Sequence, residues 1–140
     1  MEQQQVKQRI EEIIDDNLIG ILSTVENNKP YARYMTFLNK EMTLYTPTSK
    51  KTYKTDEIEK NSNVHVLLGY QGEGFGDEYV EVTGKAVIRD DQELIDSLWF
   101  DDMNNWFEGK NDPNLVFIEV KPESVRLMNG RGEEPQSLDL

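Results

Sequence analysis

The sequence predicts an α+β domain built around a small antiparallel β-barrel of about six to seven strands with flanking helices. Three observations lead to this prediction. The chain has 140 residues, the size of one ordinary domain. Seven short apolar segments of strand character follow one another, mostly separated by turn residues typical of hairpins. Helix-compatible stretches lie at the start, in the middle and in the last third of the chain.

The first half of the chain begins with an amphipathic pattern that predicts a helix over about residues 3–17. Its apolar stripe has the spacing i, i+4, i+7 and i+8 and consists of Val6, Ile10, Ile13 and Ile14. Turn residues then separate three apolar stretches that are expected to be strands. These strands are predicted over residues 18–25, 31–38 and 42–46.

The second half continues with a helix expected over residues 49–60 and a strong strand over 64–70. Apolar positions alternate with more solvent-exposed positions over residues 79–89, which predicts a strand with one buried face. A helix is expected over 90–107, with Asp90 and Asp91 as caps. Strands over 115–120 and 125–128 close the sheet around a turn, and residues 130–140 are expected to be a loose polar tail. Residues 1–140 therefore form a single predicted domain.

The charge balance limits the classes of partner. The chain has 15 basic and 27 acidic residues, a formal net charge of −12. This charge argues against nucleic acid and against an anionic membrane surface as partners. The sequence contains no apolar run of about 20 residues and no export signal, so we expect a cytoplasmic protein. An anionic ligand would need a local basic pocket.

Several conspicuous features do not predict a catalytic or metal site. The glycine-rich segment 72–76 lies between two strands rather than before a helix, which favours a flexible hairpin loop over a phosphate loop. His65 is the single histidine, and the chain has no cysteine, so a structural or surface role is expected and no metal site is predicted. The paired aspartates lie at predicted helix ends, where acids cap or are solvated.

The stretch 44–54 is different because it gathers lysines and hydroxyl groups without one acid. Hydroxyls, free N–H groups and ammonium groups at a helix N-terminus are the components of a phosphate site. The candidates in this stretch are Tyr45, Thr46, Ser49, Lys50, Lys51 and Lys54. On the preceding strand Arg33 and Met35 share one face, and a guanidinium there can donate to the same phosphate. A solvated lysine helix explains the stretch about as well.

A cluster of aromatic residues lies late in the chain. Trp99, Phe100, Trp106 and Phe107 exceed what one helix face requires. The sequence favours core or subunit-interface positions for them. The alternative is that one of them, with Trp106 as the candidate, covers a flat ligand.

Three segments carry a resemblance to a known family: "KPYARYMTF", "LYTPTSKKTYKTDEIEKNSNVHVLLGY" and "YVEVTGKAVI". Together with "SLWFDDMNNWFEGKNDPNLVFIEVKPESV", they resemble the pyridoxamine 5′-phosphate oxidase-like flavoproteins, in their general-stress-protein branch. The resemblance implies a split β-barrel that forms homodimers, with FMN in a cleft between the subunits; FAD or a deazaflavin are the other flavins it allows. It also implies a small-molecule redox partner.

The same resemblance implies roles for individual residues. Arg33 and Lys54 would bind the FMN phosphate. Residues 34–36 (Tyr34, Met35 and Thr36) would border the isoalloxazine ring, and Tyr45 and Thr46 match a family pair near the flavin. The resemblance leaves open whether Ser49 or Thr52 supplies the hydroxyl donor.

One departure from the biosynthetic oxidase concerns the late strand. The oxidase has Phe-Trp-Gln-Gly where this chain has Leu127-Met128-Asn129-Gly130, and the arginine-bearing region that holds pyridoxal phosphate is not seen after it. Oxidation of vitamin B6 is therefore not expected. Two functional hypotheses remain: a small FMN-dependent oxidoreductase connected with stress, and a noncatalytic flavin-binding or sensing protein. No catalytic side chain stands out for either one.

Overall fold

The computed structural model describes residues 2–72, 77–129 and 134–140. The helices are α1 (Gln3–Asp16), α2 (Tyr53–Lys60) and α3 (Gln92–Leu98), followed by a 3₁₀ helix at Asp101–Asn105. The strands are β1 (Ile19–Glu26), β2 (Lys29–Thr36), β3 (Leu38–Lys40), β4 (Thr43–Ser49), β5 (Asn63–Leu68), β6 (Tyr79–Arg89), β7 (Leu115–Met128) and β8 (Gln136–Leu138).

All described strands form one antiparallel sheet in the order β2-β1-β5-β6-β7-β4-β3, and β8 pairs with β7. The chain is therefore an α+β domain with a split-barrel-like sheet, and the predicted fold class is confirmed. Among the described residues, no helix is long and apolar enough to cross a membrane.

The main core fills the inner face of this sheet. Alternate residues of the central strands point inward, and the apolar stripe of α1 packs with them, as its spacing predicted. The core includes Val6, Ile10, Ile13 and Ile14 of α1 together with Leu22, Phe37, Leu44, Val66, Val82, Ile118 and Leu127 of the sheet segments.

A second core cluster lies between the segment 92–107 and the opposite face of the sheet. Its buried members are Ile95, Leu98, Met103, Leu115 and Phe117. The helix predicted over 90–107 is interrupted here, because α3 ends at Leu98 and the backbone is extended at Phe100. This break lets Trp99, Phe100 and Phe107 pack against the cluster, whereas a continuous helix would turn part of that aromatic surface away from it.

The late strands differ from the prediction. Residues 115–128 form one continuous strand, β7, where two strands and a turn were expected. The register shifts between Thr83 and Gly84, and Gly84 lies opposite Pro122. A Cβ at Gly84 would stand 2.3 Å from the Lys121 carbonyl oxygen, so the close approach of the two strands requires glycine. A bulge that accommodates a proline bends the pair without ending it.

The middle helix and the tail also differ. Helix α2 begins at Tyr53 rather than at residue 49, because Ser49 still pairs with Leu115 in the sheet. Part of the tail that was predicted to be loose forms β8, where Leu138 is buried against the core. The Gln3 side chain holds this segment, since its Nε2 donates to the Ser137 carbonyl oxygen at 2.9 Å. Most of the predicted glycine-rich loop, residues 73–76, lies outside the described residues.

Candidate functional site

A pocket of about 450 Å³ lies where the ends of β2 and β4 meet the start of α2 and the residues after the 3₁₀ helix. Its lining is mostly apolar, with one ammonium group and a few hydroxyls. The lining residues are Ile19, Tyr34, Met35, Thr36, Pro47, Thr48, Ser49, Lys54, Trp106 and Phe107. The volume falls in the range of about 300–1,000 Å³ that is usual for small-molecule sites.

The structure thus brings six of the sequence-predicted site residues together around one pocket: Tyr34, Met35, Thr36, Ser49, Lys54 and Trp106. Successive side chains of a β-strand point to opposite faces, so neighbouring residues of β2 contribute to the pocket in different ways. Tyr34 is 76% exposed, whereas Met35 packs partly against the main core. Trp106 is 63% exposed and stands apart from the aromatic residues of the second cluster.

Lys54 supplies the positive charge in the lining. Its ammonium group is partly buried, and this burial lowers its pKa from the ordinary lysine value. The charge of Arg33 lowers the pKa further, whereas the charge of Glu57 raises it. Lys54 therefore belongs to a three-charge group with Arg33 and Glu57 at this end of the pocket.

Arg33 is not in the pocket lining, but it lies in a dense hydrogen-bond network beside Lys54. Its Nη1 donates to Thr24 Oγ1 at 2.7 Å, and its Nη2 donates to Glu57 Oε2 at 3.1 Å. Thr24 Oγ1 in turn donates to the same Glu57 oxygen at 2.5 Å. Weaker contacts at 3.3 Å join Nη1 to the carbonyl oxygens of Leu22 and Tyr31.

Besides Arg33, several sequence-predicted residues lie outside the lining, among them Tyr45, Thr46 and Lys50. Tyr45 packs against the second cluster beside Glu119, and burial and that carboxylate raise the pKa of its phenol. Thr46 is fully buried, and within the described part of the chain its hydroxyl has no hydrogen-bond partner. Lys50 is exposed, and its backbone N–H donates to the Asn114 carbonyl oxygen.

The two hydroxyl candidates now differ in their surroundings. Ser49 lines the pocket, and its Oγ accepts the Lys51 N–H at 3.2 Å. Thr52 does not line the pocket, and its hydroxyl donates to the Ser49 carbonyl oxygen at 3.0 Å. The geometry therefore favours Ser49 as the hydroxyl available to a ligand.

Sequence reasoning missed Thr24 and Glu57 and, in the pocket lining, Ile19, Pro47 and Thr48. Glu57 follows Lys54 by three positions, which places both on one face of α2, and this spacing was an available signal. Thr24 sits at an inward position of β1, where a buried hydroxyl needs a partner. Neither pattern by itself predicts that the side chains of Thr24 and Glu57 are in contact.

Two further pockets lie on the same side of the fold. An apolar one of about 380 Å³ shares Ile19 and Tyr34 with the first and adds Leu67, Tyr70 and Tyr79. A polar one of about 270 Å³ is bordered by three carboxylates, at Asp16, Asp77 and Glu78, and by the single guanidinium of Arg9, which makes it a poor site for an anion.

The other titratable side chains of the described residues are not grouped around a possible metal position. His65 is partly exposed, and its Nε2 lies 3.6 Å from Glu81 Oε2 on the outer face of the sheet. Over residues 2–72, 77–129 and 134–140, no group of three or more His, Asp or Glu side chains is arranged to hold a metal ion.

Comparison with known proteins identifies close relatives. A family model described as pyridoxamine 5′-phosphate oxidase matches residues 6–129. General stress protein 26 of Bacillus subtilis (strain 168) is 53% identical over 140 residues, which covers all of both chains. The crystal structure of General Stress Protein 26 from Bacillus anthracis str. Sterne is 35% identical, with a TM-score of 0.84, and the match covers 96% of this chain and 98% of that chain.

A more distant structure agrees in fold alone. It is a protein related to general stress protein 26 from Clostridium acetobutylicum, 16% identical, with a TM-score of 0.82. The match covers 100% of this chain and 97% of that chain.

Proposed function

Since the chain belongs to the pyridoxamine 5′-phosphate oxidase family, we propose that it binds FMN in the 450 Å³ pocket and acts as a small stress-related oxidoreductase. One observation carries the proposal: an exposed aromatic and aliphatic wall adjoins a partly buried ammonium group in a chain of net charge −12. A flat ligand with an anionic tail matches both halves of this pocket.

The residues present fit the two parts of FMN. Tyr34, Met35 and Trp106 offer apolar and aromatic surface for a ring system. At the other end, Lys54 and the Ser49 hydroxyl are suited to a phosphate, with Arg33 as a further cation beside Lys54. These residues would bind, orient and desolvate the cofactor, and the bound flavin would supply the redox chemistry.

The charge of this end of the pocket also suits a phosphate. Lys54 and Arg33 contribute two positive charges, and the buried Glu57 removes one of them. The local field therefore stays positive although the whole chain is acidic. Because hydrogen bonds to charged groups are worth roughly 1.5–3 kcal/mol each, two or three of them would dominate the affinity for the phosphate.

A noncatalytic flavin-binding or sensing protein is the second candidate, and the pocket lining itself favours it. Among the described lining residues there is no carboxylate and no imidazole to act as a general acid or base. Steady-state turnover with NADPH and a small-molecule acceptor separates the two candidates. Turnover supports the oxidoreductase, and a reducible bound flavin without turnover supports the sensor.

Oxidation of vitamin B6 is not part of the proposal. In the segment where the sequence departs from the biosynthetic oxidase, Leu127 is fully buried in the main core. Met128, at the position of the oxidase tryptophan, is half-buried at the end of β7. This segment therefore offers a methionine in place of the aromatic side chain of the oxidase.

We further propose that the protein is a homodimer with the flavin between its subunits. Exposed large apolar side chains cluster on one side of the chain, at Ile19, Tyr34, Tyr70 and Trp106. Both apolar pockets open there, since Ile19 and Tyr34 border each of them. An exposed apolar area of this kind is typical of a surface that meets a partner, and closed pairs are the commonest oligomers.

The decisive experiment is an absorbance spectrum of the protein purified without added cofactor, combined with light scattering at micromolar concentration. We expect a flavin spectrum, release of FMN on denaturation and the mass of a dimer. A colourless protein that also binds no added FMN, FAD or deazaflavin would refute the flavin proposal. A monomer that still binds FMN would refute the dimer alone.

A further inference from the structure

The Arg33 guanidinium is hydrogen-bonded along only part of its periphery. Arginine has five N–H donors in a planar arrangement. Nη1 and one N–H of Nη2 are engaged by Thr24, Glu57 and backbone carbonyl oxygens. Within the described part of the chain, Nε donates to no group, so the edge formed by Nε and the second N–H of Nη2 stays available.

Thr24 and Glu57 are themselves held firmly. Thr24 is 0% exposed and Glu57 is 5% exposed. One hydroxyl serves both charged groups: Thr24 Oγ1 accepts from Arg33 and donates to Glu57. The hydroxyl lies on β1, the guanidinium on β2 and the carboxylate on α2, so three elements converge on one point.

We propose that Thr24 and Glu57 form a buried clamp that positions Arg33, so that the Nε edge of its guanidinium serves phosphate binding. This inference rests on the proposed function. Thr24 and Glu57 are positioning residues in it and do not touch the ligand.

The clamp explains why a carboxylate stands so close to a site for an anion. Glu57 engages the Nη2 group and leaves the Nε edge free. A guanidinium restrained on one edge loses less conformational entropy when a phosphate binds its other edge. The carboxylate also keeps the two cations together, because it counters the repulsion that Arg33 exerts on Lys54.

The test replaces Thr24, since this change alters no formal charge. Thr24→Val is nearly isosteric but removes the hydroxyl that links Arg33 with Glu57. Thr24→Ser keeps the hydroxyl and serves as the matched control. The dissociation constants of FMN and riboflavin are measured for the parent and both variants by quenching of flavin fluorescence.

We expect Thr24→Val to weaken FMN by about five- to tenfold and riboflavin by less than about twofold, and Thr24→Ser to resemble the parent. The ratio of the two affinities does not depend on the folded fraction, because both flavins use the same folded protein. Equal weakening of both flavins, an unchanged ratio, or a Thr24→Ser variant that behaves like Thr24→Val would each overturn the clamp.

A second measurement separates the clamp from the flavin proposal. The midpoint of thermal unfolding is recorded with increasing inorganic phosphate for the parent and Thr24→Val. If the parent binds neither flavin but is stabilised by phosphate, and Thr24→Val loses this stabilisation, the flavin proposal fails and the clamp stands. If the parent binds neither flavin and ignores phosphate, both fail.

Discussion

Two buried glutamates, Glu57 and Glu119, each pair with an arginine, yet their surroundings differ in one respect. Arg89 donates Nη1 to Glu119 Oε2 at 2.5 Å and uses Nε and Nη2 for both oxygens of Asp91 at 2.9 Å. All three of its nitrogens are therefore engaged within the chain. Arg33 uses only Nη1 and Nη2, so its Nε edge remains available among the described residues.

The residues that surround the two ion pairs also differ. Around Glu119, Lys121 lies at 3.7 Å and Tyr45 packs beside the carboxylate at the second core cluster. Glu57 instead stands next to Lys54, which lines a pocket. A buried ion pair whose donors are all satisfied holds elements of the fold together. A pair with an unused donor edge beside a second cation is suited to bind an anion.

The largest effect is expected when the guanidinium of the Arg89–Glu119 pair is removed. Arg89→Met would leave the Glu119 carboxylate buried, with Lys121 at 3.7 Å as its remaining cationic partner among the described residues. Because Arg89 is about one third exposed, we expect a loss of roughly 2–3 kcal/mol in the free energy of unfolding, below the full cost of breaking a buried pair. Urea denaturation measures it.

The comparison predicts that this variant keeps its flavin preference. FMN and riboflavin affinities of Arg89→Met should equal those of the parent when measured on folded protein. A selective loss of FMN would mean that the Arg89 pair also belongs to the phosphate site.

The second effect is at the pocket. Lys54→Ala should weaken FMN by roughly ten- to a hundredfold, since about 1.4 kcal/mol corresponds to one decade of affinity. Riboflavin has no phosphate and should lose little. Titration of each flavin against the variant measures both values.

Lys40→Ala is the matched control, because Lys40 is an exposed lysine at the end of β3 and does not line the pocket. It should change neither affinity. If Lys54→Ala binds FMN as tightly as the parent, or weakens riboflavin equally, the lysines of residues 50–54 are only a solvated surface.

The smallest expected effect is a pH dependence, in which stability and FMN affinity change in opposite directions as the pH rises. The pKa of Lys54 is lowered in the folded protein, mainly by burial and then by Arg33. Between this lowered pKa and the ordinary lysine value, the unfolded chain binds more protons, so the stability contributed at Lys54 rises with pH in that window. FMN affinity should fall several-fold over the same window, because the neutral amine attracts the phosphate less.

Lys54→Arg tests this dependence, since arginine stays protonated throughout the window. The fall in FMN affinity at alkaline pH should become smaller in this variant, while riboflavin binding stays flat in both proteins. A parent protein whose FMN affinity does not change over this window would contradict a role for the Lys54 charge.

Several parts of the molecule could be predicted from local patterns. The α1 stripe has a period that only a helix satisfies, and the alternation of residues 79–89 has a period that only a strand satisfies, so both were predicted correctly. The continuous strand β7 and the strand β8 were not predicted. Both depend on a distant partner: Gly84 accommodates Pro122, and Gln3 holds residues 137–139.

The candidate site likewise has features that the sequence predicts and features that depend on the tertiary structure. The sequence by itself determined that lysines and hydroxyls gather in residues 44–54 of an acidic chain, because composition and spacing are local properties. It also determined that Arg33 and Met35 share a face. Only the tertiary structure decided that Ser49 and Lys54 line the pocket while Tyr45 faces the second cluster.

That Glu57, rather than a neighbouring acid of α2, is buried is likewise decided by the tertiary structure. Asp56 and Glu59 are exposed on the same helix, whereas Glu57 is buried against Thr24 and Arg33. Helical periodicity says which side chains share a face, but the packing of α2 on β1 decides which face is buried. A carboxylate can be buried there because a hydroxyl from one strand and a guanidinium from the next reach it together. The β1–β2 register pairs Arg33 with Leu22, so Thr24 and Arg33 are diagonal neighbours, and the Arg33 side chain bridges to the Thr24 hydroxyl.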